Sequence, residues 1–231
     1  MIEISHAIVG HQRPLIEIED LVLEKGKVYA IIGRNGGGKS TLMNSLLGHV
    51  PLMSGNMKID GMDVHSLRRS ILAKYVAFVA SKFDGIEYLK VREYISLGKF
   101  GSSSILGQLP KEEADHVEQL LEELSLLPLA GKFTDRISDG ERQLAAVARA
   151  LAQDTAVLLL DEPTAFLDYK NKKRMMEKLV EIAEQKNKCI VLSTHDLELA
   201  MDNSLIFLAV HRGRLEVIER LDKERFSYYF E

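Results

Sequence analysis

KVYAIIGRNGGGKST, residues 27–41, joins a continuous apolar run to a glycine-rich loop that ends in lysine, serine and threonine. The apolar part is typical of a buried strand, and KSTLMNSLLGH continues from the loop as a helix. The loop fits the pattern G-x-x-x-x-G-K-[ST] and lies between a strand and a helix, where backbone N–H groups can surround a phosphate. The stretch therefore predicts an α/β fold with a nucleotide site at this strand–helix junction.

The residues of this phosphate loop have separate expected roles. Glycines let successive N–H groups turn inward, and the helix that follows directs its positive end at the phosphates. Lys39 supplies positive charge to the β- and γ-phosphate oxygens, and the Ser40 hydroxyl can bind Mg²⁺. We expect the whole loop to contact ATP through Gly33, Arg34, Asn35, Gly36, Gly37, Gly38, Lys39, Ser40 and Thr41.

Two carboxylates follow a second apolar run, VLLLDEP, residues 157–163. Asp161 comes at the carboxyl end of the predicted strand, where ligands bind in such sheets, and would hold Mg²⁺ through water. Glu162 is one residue further and is a natural base for the attacking water. An isolated Asp-Glu pair after a strand is more often a solvated edge, but the phosphate loop reverses that preference.

CIVLSTHD, residues 189–196, repeats the design of a buried strand with a polar end. An imidazole at His195 could contact the γ-phosphate or hold the water in line. A single histidine is usually structural, and His195 becomes a catalytic candidate only in combination with the other two motifs.

Composition sets broad limits on the function. The chain has 231 residues, 46% hydrophobic and 28% charged, and a net charge of −4, which gives no basis for a nucleic-acid-binding surface. One cysteine, Cys189, allows no internal disulfide and is expected to pack in a strand. We find no apolar run long enough to span a bilayer and no basic leader at MIEISHAIVG, so a cytoplasmic protein is expected, docked on another protein if it works at a membrane.

The remaining pattern predicts one domain, residues 1–231, with a helical insertion. Residues 1–90 and 134–231 are expected to form the catalytic core, with GNMKIDG as an exposed hairpin strand, and residues from about 91 to 133 to form helices around the flexible loop GSSSILG. Later helices are expected at 139–152 and 169–186, and strands near 204–209 and 214–218. The C-terminal LDKERFSYYFE is expected to be a helix packed on its own domain.

Four motifs in this order, GRNGGGKST, ISDGERQ (137–143), LLLDEPTAFLD and STHD, resemble the ATPase subunits of ABC transporters. The resemblance implies a P-loop NTPase with a RecA-like core, an antiparallel β subdomain and a helical insertion. It also implies two copies in a head-to-tail dimer, in which Ser138 and the Gly140 backbone contact the γ-phosphate held by the other copy. AFLD (165–168) matches the family's D-loop, so Asp168 is expected to cross that interface.

The amino-acid sequences of several segments are most similar to those of ATPases of iron-siderophore, haem and cobalamin importers. These segments are SLRRSILAKYVAFV, KVREYISLGKF and GERQLAAVARALAQ. The resemblance implies an integral membrane permease as partner and a peripheral location on the inner face of the membrane. KFDGIEYLKVREY, residues 82–94, is the expected docking segment, and the alternative for it is a solvated amphipathic helix.

The sequence departs from the family pattern at three positions. Ser81 stands where the family has a glutamine that binds Mg²⁺, so a water is expected to bridge this shorter side chain to the metal. Val9 stands where an aromatic residue stacks on adenine, with His11 or His6 as weaker substitutes, so loose base selectivity is expected. Asp139 replaces the first signature glycine, and we expect its carboxylate to turn away from the phosphates toward its own helix, with Ser138 as the N-cap.

Two other functions fit the same motifs. A soluble ABC-type ATPase could act on an assembly scaffold instead of a permease. A binding-only ATP switch would account for Ser81 and Val9, although the intact Glu162 and His195 argue against it.

Overall fold

The apolar run at the start of the phosphate loop forms a strand, Val28–Gly33, in which every residue is buried. The computed structural model describes residues 1–102 and 109–219 together with Tyr229. By contact these residues fall into two compact units, described separately below. The central segment GSSSILG and the C-terminal LDKERFSYYFE lie largely outside the described residues.

The sheet unit comprises Met1–Phe78, Thr155–Glu162 and the described residues from Tyr169 onward. Its strands are β1 (Ile2–Gly10), β2 (Pro14–Ile18), β3 (Leu21–Leu23), β4 (Val28–Gly33), β5 (Leu52–Ile59), β6 (Met62–Asp63), β7 (Val76–Val79, whose last residue falls in the other unit), β8 (Val157–Leu160), β9 (Cys189–Ser193), β10 (Ile206–His211) and β11 (Arg214–Ile218). Its helices are α1 (Lys39–Leu46), α2 (Arg69–Leu72), α6 (Tyr169–Gln185) and α7 (Leu197–Asp202).

These strands form one sheet in the order β6-β5-β1-β2-β11-β10-β4-β9-β8-β7, with β3 paired to β1. The run β10-β4-β9-β8 is parallel, as expected for strands connected through helices, whereas β1 pairs antiparallel with β2, β3 and β5. This confirms the predicted α/β fold with an antiparallel part, and the antiparallel strands continue the sheet that carries the parallel ones.

The parallel strands are buried because helices cover them, and their sequences are accordingly apolar throughout. Ile31, Leu159 and Val191 from three adjacent strands join Leu42 and Met43 of α1 in one core cluster. Cys189 packs in the same cluster, as predicted. The hairpin strand at GNMKIDG is less exposed than predicted, since Met57 and Ile59 of β5 are fully buried where β5 pairs with β1.

The helical unit comprises Val79–Asp154 and Pro163–Asp168. It contains α3 (Val91–Ser96), α4 (Lys111–Glu123), α5 (Asp139–Ala152) and 3₁₀ turns at Leu97–Ser102, Leu127–Leu129 and Thr134–Arg136. Its boundaries lie further out than the expected 91 and 133, because the alanine-rich α5 packs closely on α3 and α4. A Cβ added at Gly98 would lie 2.3 Å from the Arg149 carbonyl oxygen, which shows how near the backbones are.

Residues 82–90 contain no helix, and α3 begins at Val91, so an amphipathic helix over the whole segment 82–94 was the wrong alternative. Among the described helices, none combines the length and apolarity that a bilayer crossing needs.

Candidate active site

The phosphate loop connects β4 to α1, and its backbone shape depends on glycine. Gly38 has φ of 103° and is the N-cap of α1, and a Cβ there would lie 2.9 Å from Ile16 Cδ1. Gly36 has φ of 76°, and a Cβ there would meet no atom within 4 Å, so its backbone borders open space that a ligand can approach. The first-turn N–H groups of α1 have no acceptor within the helix, which suits them to bind an anion.

Lys39 is held within the loop that it serves. Its ammonium donates to the carbonyl oxygens of Gly33 at 2.7 Å and Arg34 at 3.2 Å. Burial lowers the pKa of Lys39 below its usual value, and the carboxylates of Glu162 and Asp161 act in the opposite direction. The cation therefore lies within the field of both acidic candidates.

Both carboxylates follow β8, all of whose residues are buried. β8 pairs in parallel with β9, and β9 with β4, so the three strands end at one edge of the sheet. Asp161 and Glu162 thus emerge at the carboxyl edge that also carries the phosphate loop, as the sequence predicted. Glu162 has φ of 46°, in the left-handed region that non-glycine residues seldom adopt.

His195 reaches Glu162 from the loop after β9. Its Nε2 lies 3.1 Å from Glu162 Oε1, with 50% and 37% of the two side chains exposed. The Asp196 N–H donates to Thr194 Oγ1 at 2.9 Å, and Lys172 pairs with Asp196 at 2.7 Å, which fix the path of this loop. The base candidate and the histidine are therefore in direct contact.

Ser193 is a residue of this site that the sequence analysis did not single out. Its hydroxyl donates to Asp161 Oδ1 at 2.6 Å and accepts the Glu162 N–H at 2.9 Å. The signal available in the sequence was a polar residue at the end of an otherwise apolar strand, two positions before the histidine.

The signature segment lies in the helical unit at the start of α5. Ser138 is the N-cap, and its hydroxyl forms a capping box with Glu141, whose carboxylate accepts the Ser138 N–H at 2.8 Å. Asp139 pairs with Arg142 one turn along the helix, so its carboxylate interacts with its own helix as expected. Acidic residues in a first turn favour the helix dipole.

Gly140 adjoins the D-loop segment within the same unit. A Cβ there would lie 3.0 Å from Leu167 Cδ2 and 3.1 Å from the Phe166 carbonyl oxygen, so a larger residue would displace this segment. Asp168 follows as an exposed residue. Ser81 lies just after β7, next to Ala80, whose carbonyl accepts from Gln143 Nε2 at 3.2 Å.

Of the three adenine-stacking candidates, the two histidines present their side chains at the surface, and the valine does not. Val9 is fully buried in β1 and cannot present its side chain to a base. His6 is exposed and 3.6 Å from Asp20, and His11 is exposed in the β1–β2 turn. The weaker stacking expected from the sequence stays a prediction.

Comparison with known proteins identifies the family. The model of the ABC transporter family matches residues 18–165, more than half of the chain. An achromobactin transport ATP-binding protein of Dickeya dadantii is 36% identical over 197 residues, covering 85% of this chain and 73% of that protein. A petrobactin import ATP-binding protein of Bacillus anthracis is 32% identical over 217 residues, covering 94% and 80%.

A solved dimeric ATP-binding cassette in a post-hydrolysis state with ADP and phosphate has a TM-score of 0.79 and 26% identity, covering 94% of this chain and 97% of its own. The matched family, these relatives and the phosphate-loop geometry agree. The chain belongs to the ABC transporter family and is an ATP-binding ATPase of that family.

Proposed function

We propose that the chain is the ATP-hydrolysing subunit of an importer for an iron complex, haem or cobalamin. The relatives named above act in achromobactin transport and petrobactin import. The sequences of the helical segments also resemble those of such importers. Solute specificity would lie in the permease and any binding protein, because the ATPase subunit itself does not contact the solute.

The contact between Glu162 and His195 is the main observation that supports ATP hydrolysis. With both side chains at the carboxyl edge that bears the phosphate loop, a water bound between Glu162 and a γ-phosphate can be activated. The water oxygen forms a bond to the γ-phosphorus, the bond to the β–γ bridging oxygen breaks, and Glu162 accepts the water proton. ADP and phosphate are the products, and His195 would hold the γ-phosphate in line.

Lys39 would stabilise the charge that develops on the phosphate oxygens, since its ammonium is already fixed at the loop. The donor chemistry also fits Mg²⁺, because Ser40 and Asp161 offer the hydroxyl and carboxylate oxygens that this ion prefers. When bound, the ion would neutralise phosphate charge. Ser81 stays the predicted third oxygen donor, through water.

The proposed working form is an ATP-dependent head-to-tail homodimer. Ser138 and the Gly140 backbone would contact the ATP of the other copy, and Asp168 would cross the interface. The Ser138 N–H and hydroxyl both donate to the Glu141 carboxylate, at 2.8 and 2.9 Å, so the hydroxyl would have to turn from Glu141 to reach a phosphate. The Gly140 N–H supports the proposed contact more directly, because it lies in the first turn of α5, where backbone N–H groups have no acceptor within the helix.

The proposed permease contact is the segment 82–94, in the helical unit. Ile86 and Tyr88 expose 46% and 77% of their surface, although neighbouring groups fix the backbone. The buried Thr134 hydroxyl donates to the Ile86 carbonyl at 2.9 Å and accepts the Ile86 N–H at 2.8 Å. Apolar side chains on a braced loop suit a protein partner, and the chain would thus lie on the cytoplasmic face of the membrane.

Phosphate release by the purified chain with Mg–ATP tests the catalytic part of the proposal. We expect steady turnover, and a loss of at least about 100-fold in kcat for Glu162→Gln. A chain that binds ATP but releases no phosphate would indicate the binding-only switch.

Co-purification with a co-expressed candidate permease tests the transport part. Ile86→Ser should weaken retention of the permease, and Val22→Ser is the matched control, since Val22 is 53% exposed in β3. Equal retention by both variants would reject the docking segment, and no retention by the parent chain would favour a soluble scaffold ATPase.

A further inference from the structure

Ser193 ends the strand that lies between the phosphate-loop strand and the strand of the acidic pair. It pairs with Ile31 of β4, and its neighbour Leu192 pairs with Leu160 of β8. Because the strands are parallel and in register, Ser193 comes alongside Asp161, the residue that follows Leu160. Only 1% of Ser193 is exposed.

The Ser193 hydroxyl both donates and accepts a hydrogen bond, and both partners belong to Asp161 and Glu162. Its proton goes to Asp161 Oδ1 at 2.6 Å, and its oxygen accepts the Glu162 backbone N–H at 2.9 Å. A carboxylate acceptor makes the first of these a charge-assisted bond. Ser193 is buried, so removing its hydroxyl takes the acceptor from the part-buried Glu162 N–H.

Glu162 depends on this bond more than an ordinary strand residue would. Its φ of 46° is a conformation that costs about 1 kcal/mol or more for a non-glycine residue, and such a conformation persists only where neighbouring groups hold it. Ser193 holds its backbone N–H, and His195, two residues further, contacts its carboxylate. One segment of the chain thus fixes Glu162 at both ends.

We propose that Ser193 is a positioning residue for ATP hydrolysis, acting through Asp161 and Glu162. Its hydroxyl sets the direction of the Asp161 carboxylate and holds the Glu162 backbone in the left-handed conformation that aims its side chain at His195. This inference rests on the proposed roles of Asp161 and Glu162 in hydrolysis, and it adds the residue that holds both in one geometry.

Substitutions at Ser193 separate the hydroxyl from the packing. Ser193→Ala removes the hydroxyl, while Ser193→Thr and Ser193→Val have nearly the same shape and differ in the hydroxyl alone. We expect kcat to fall about 10- to 100-fold in Ser193→Ala and Ser193→Val, as is usual when a group that orients a catalytic ligand is lost. Ser193→Thr should keep kcat within about threefold of the parent, with KM for ATP similar in all.

Hydrogen exchange gives a readout that does not depend on turnover. In buffer without nucleotide or Mg²⁺, the Glu162 N–H should exchange about fivefold faster in Ser193→Val than in Ser193→Thr, because one hydrogen bond is worth about 1 kcal/mol. The matched control is Ser45→Ala in α1, because Ser45 is fully buried and its hydroxyl has no hydrogen-bond partner among the described residues. Its kcat should not change.

Faster exchange and lower kcat in Ser193→Val than in Ser193→Thr support the proposal. Equal kcat in these two variants, whether both high or both low, overturns it, because packing and not the hydroxyl would then decide. If the parent chain hydrolyses no ATP, the proposed function fails, while the exchange comparison still decides whether Ser193 holds Glu162.

Discussion

Asp139→Gly restores the residue that the family carries at this position, and the structure predicts its consequences in detail. Asp139 is the first residue of α5, with 54% of its side chain exposed and its carboxylate paired with Arg142. Arg142 also donates through Nη1 to the Ile137 carbonyl oxygen at 2.6 Å, so it keeps a partner after the substitution. We therefore expect a loss of stability and intact hydrolysis.

Three effects make up the expected loss in free energy of unfolding. The exposed pair between Asp139 and Arg142 contributes about 0.3–0.5 kcal/mol, and a negative charge in the first turn contributes about 0.3–1 kcal/mol. Glycine in place of aspartate costs a few tenths of a kcal/mol in helix propensity. The total of about 1–2 kcal/mol should lower Tm by about 2–8 °C for a chain of this length.

Thermal unfolding and phosphate release, measured on the same samples, check this expectation. Asp139→Asn is the matched control, because it removes the charge without adding glycine and should lower Tm by a smaller amount. High salt should reduce the difference between Asp139→Asn and the parent, since it screens exposed charges. A loss of kcat above about tenfold in Asp139→Gly would refute the reasoning, because the carboxylate would then take part in hydrolysis.

Three further predictions concern the site and the fold. His195→Ala should lower kcat by about 100-fold or more with little change in ATP affinity. Stopped-flow ATP binding and phosphate release measure the two quantities, and a kcat close to that of the parent would contradict the role of His195. Competition binding should find ATP and GTP within about tenfold of each other, because Val9 is buried, and a strict preference for ATP would show another adenine contact. Burial raises the pKa of Asp60, but hydrogen bonds from Lys25 and the N-terminal ammonium outweigh burial and hold this pKa below 3.8. The stability that Asp60 contributes is therefore present above about pH 4 and is lost as the pH falls further. Asp60→Asn should make the free energy of unfolding depend less on pH in acid, and an unchanged pH profile would contradict this.

Features set by local sequence were predictable. The phosphate loop, the buried strands around it and the signature helix at 139–152 lie where the patterns placed them, because strand runs, glycines and caps act over a few residues. The meeting of Glu162 with His195 was also predictable, since both follow buried strands of one parallel sheet.

Features set by distant contacts were not predictable from the sequence. The alternation of buried and exposed side chains along β1 breaks at His6, whose φ is 43°, and the register of β1 with β5 shifts between Ser5 and Ile8. Ser193 acquires its role only from a pairing across 31 residues of sequence. The extent of the helical unit depends on the packing of α5 on α3 and α4, which no local pattern encodes.

The mass of Glu162→Gln in solution, with saturating ATP and Mg²⁺, tests most directly whether the site is completed by a second copy. Light scattering after size exclusion should give about twice the 26.0 kDa of the chain with ATP and the monomer mass with ADP. A monomer that persists with bound ATP would contradict the two-copy site, and with it the proposed roles of Ser138, Gly140 and Asp168.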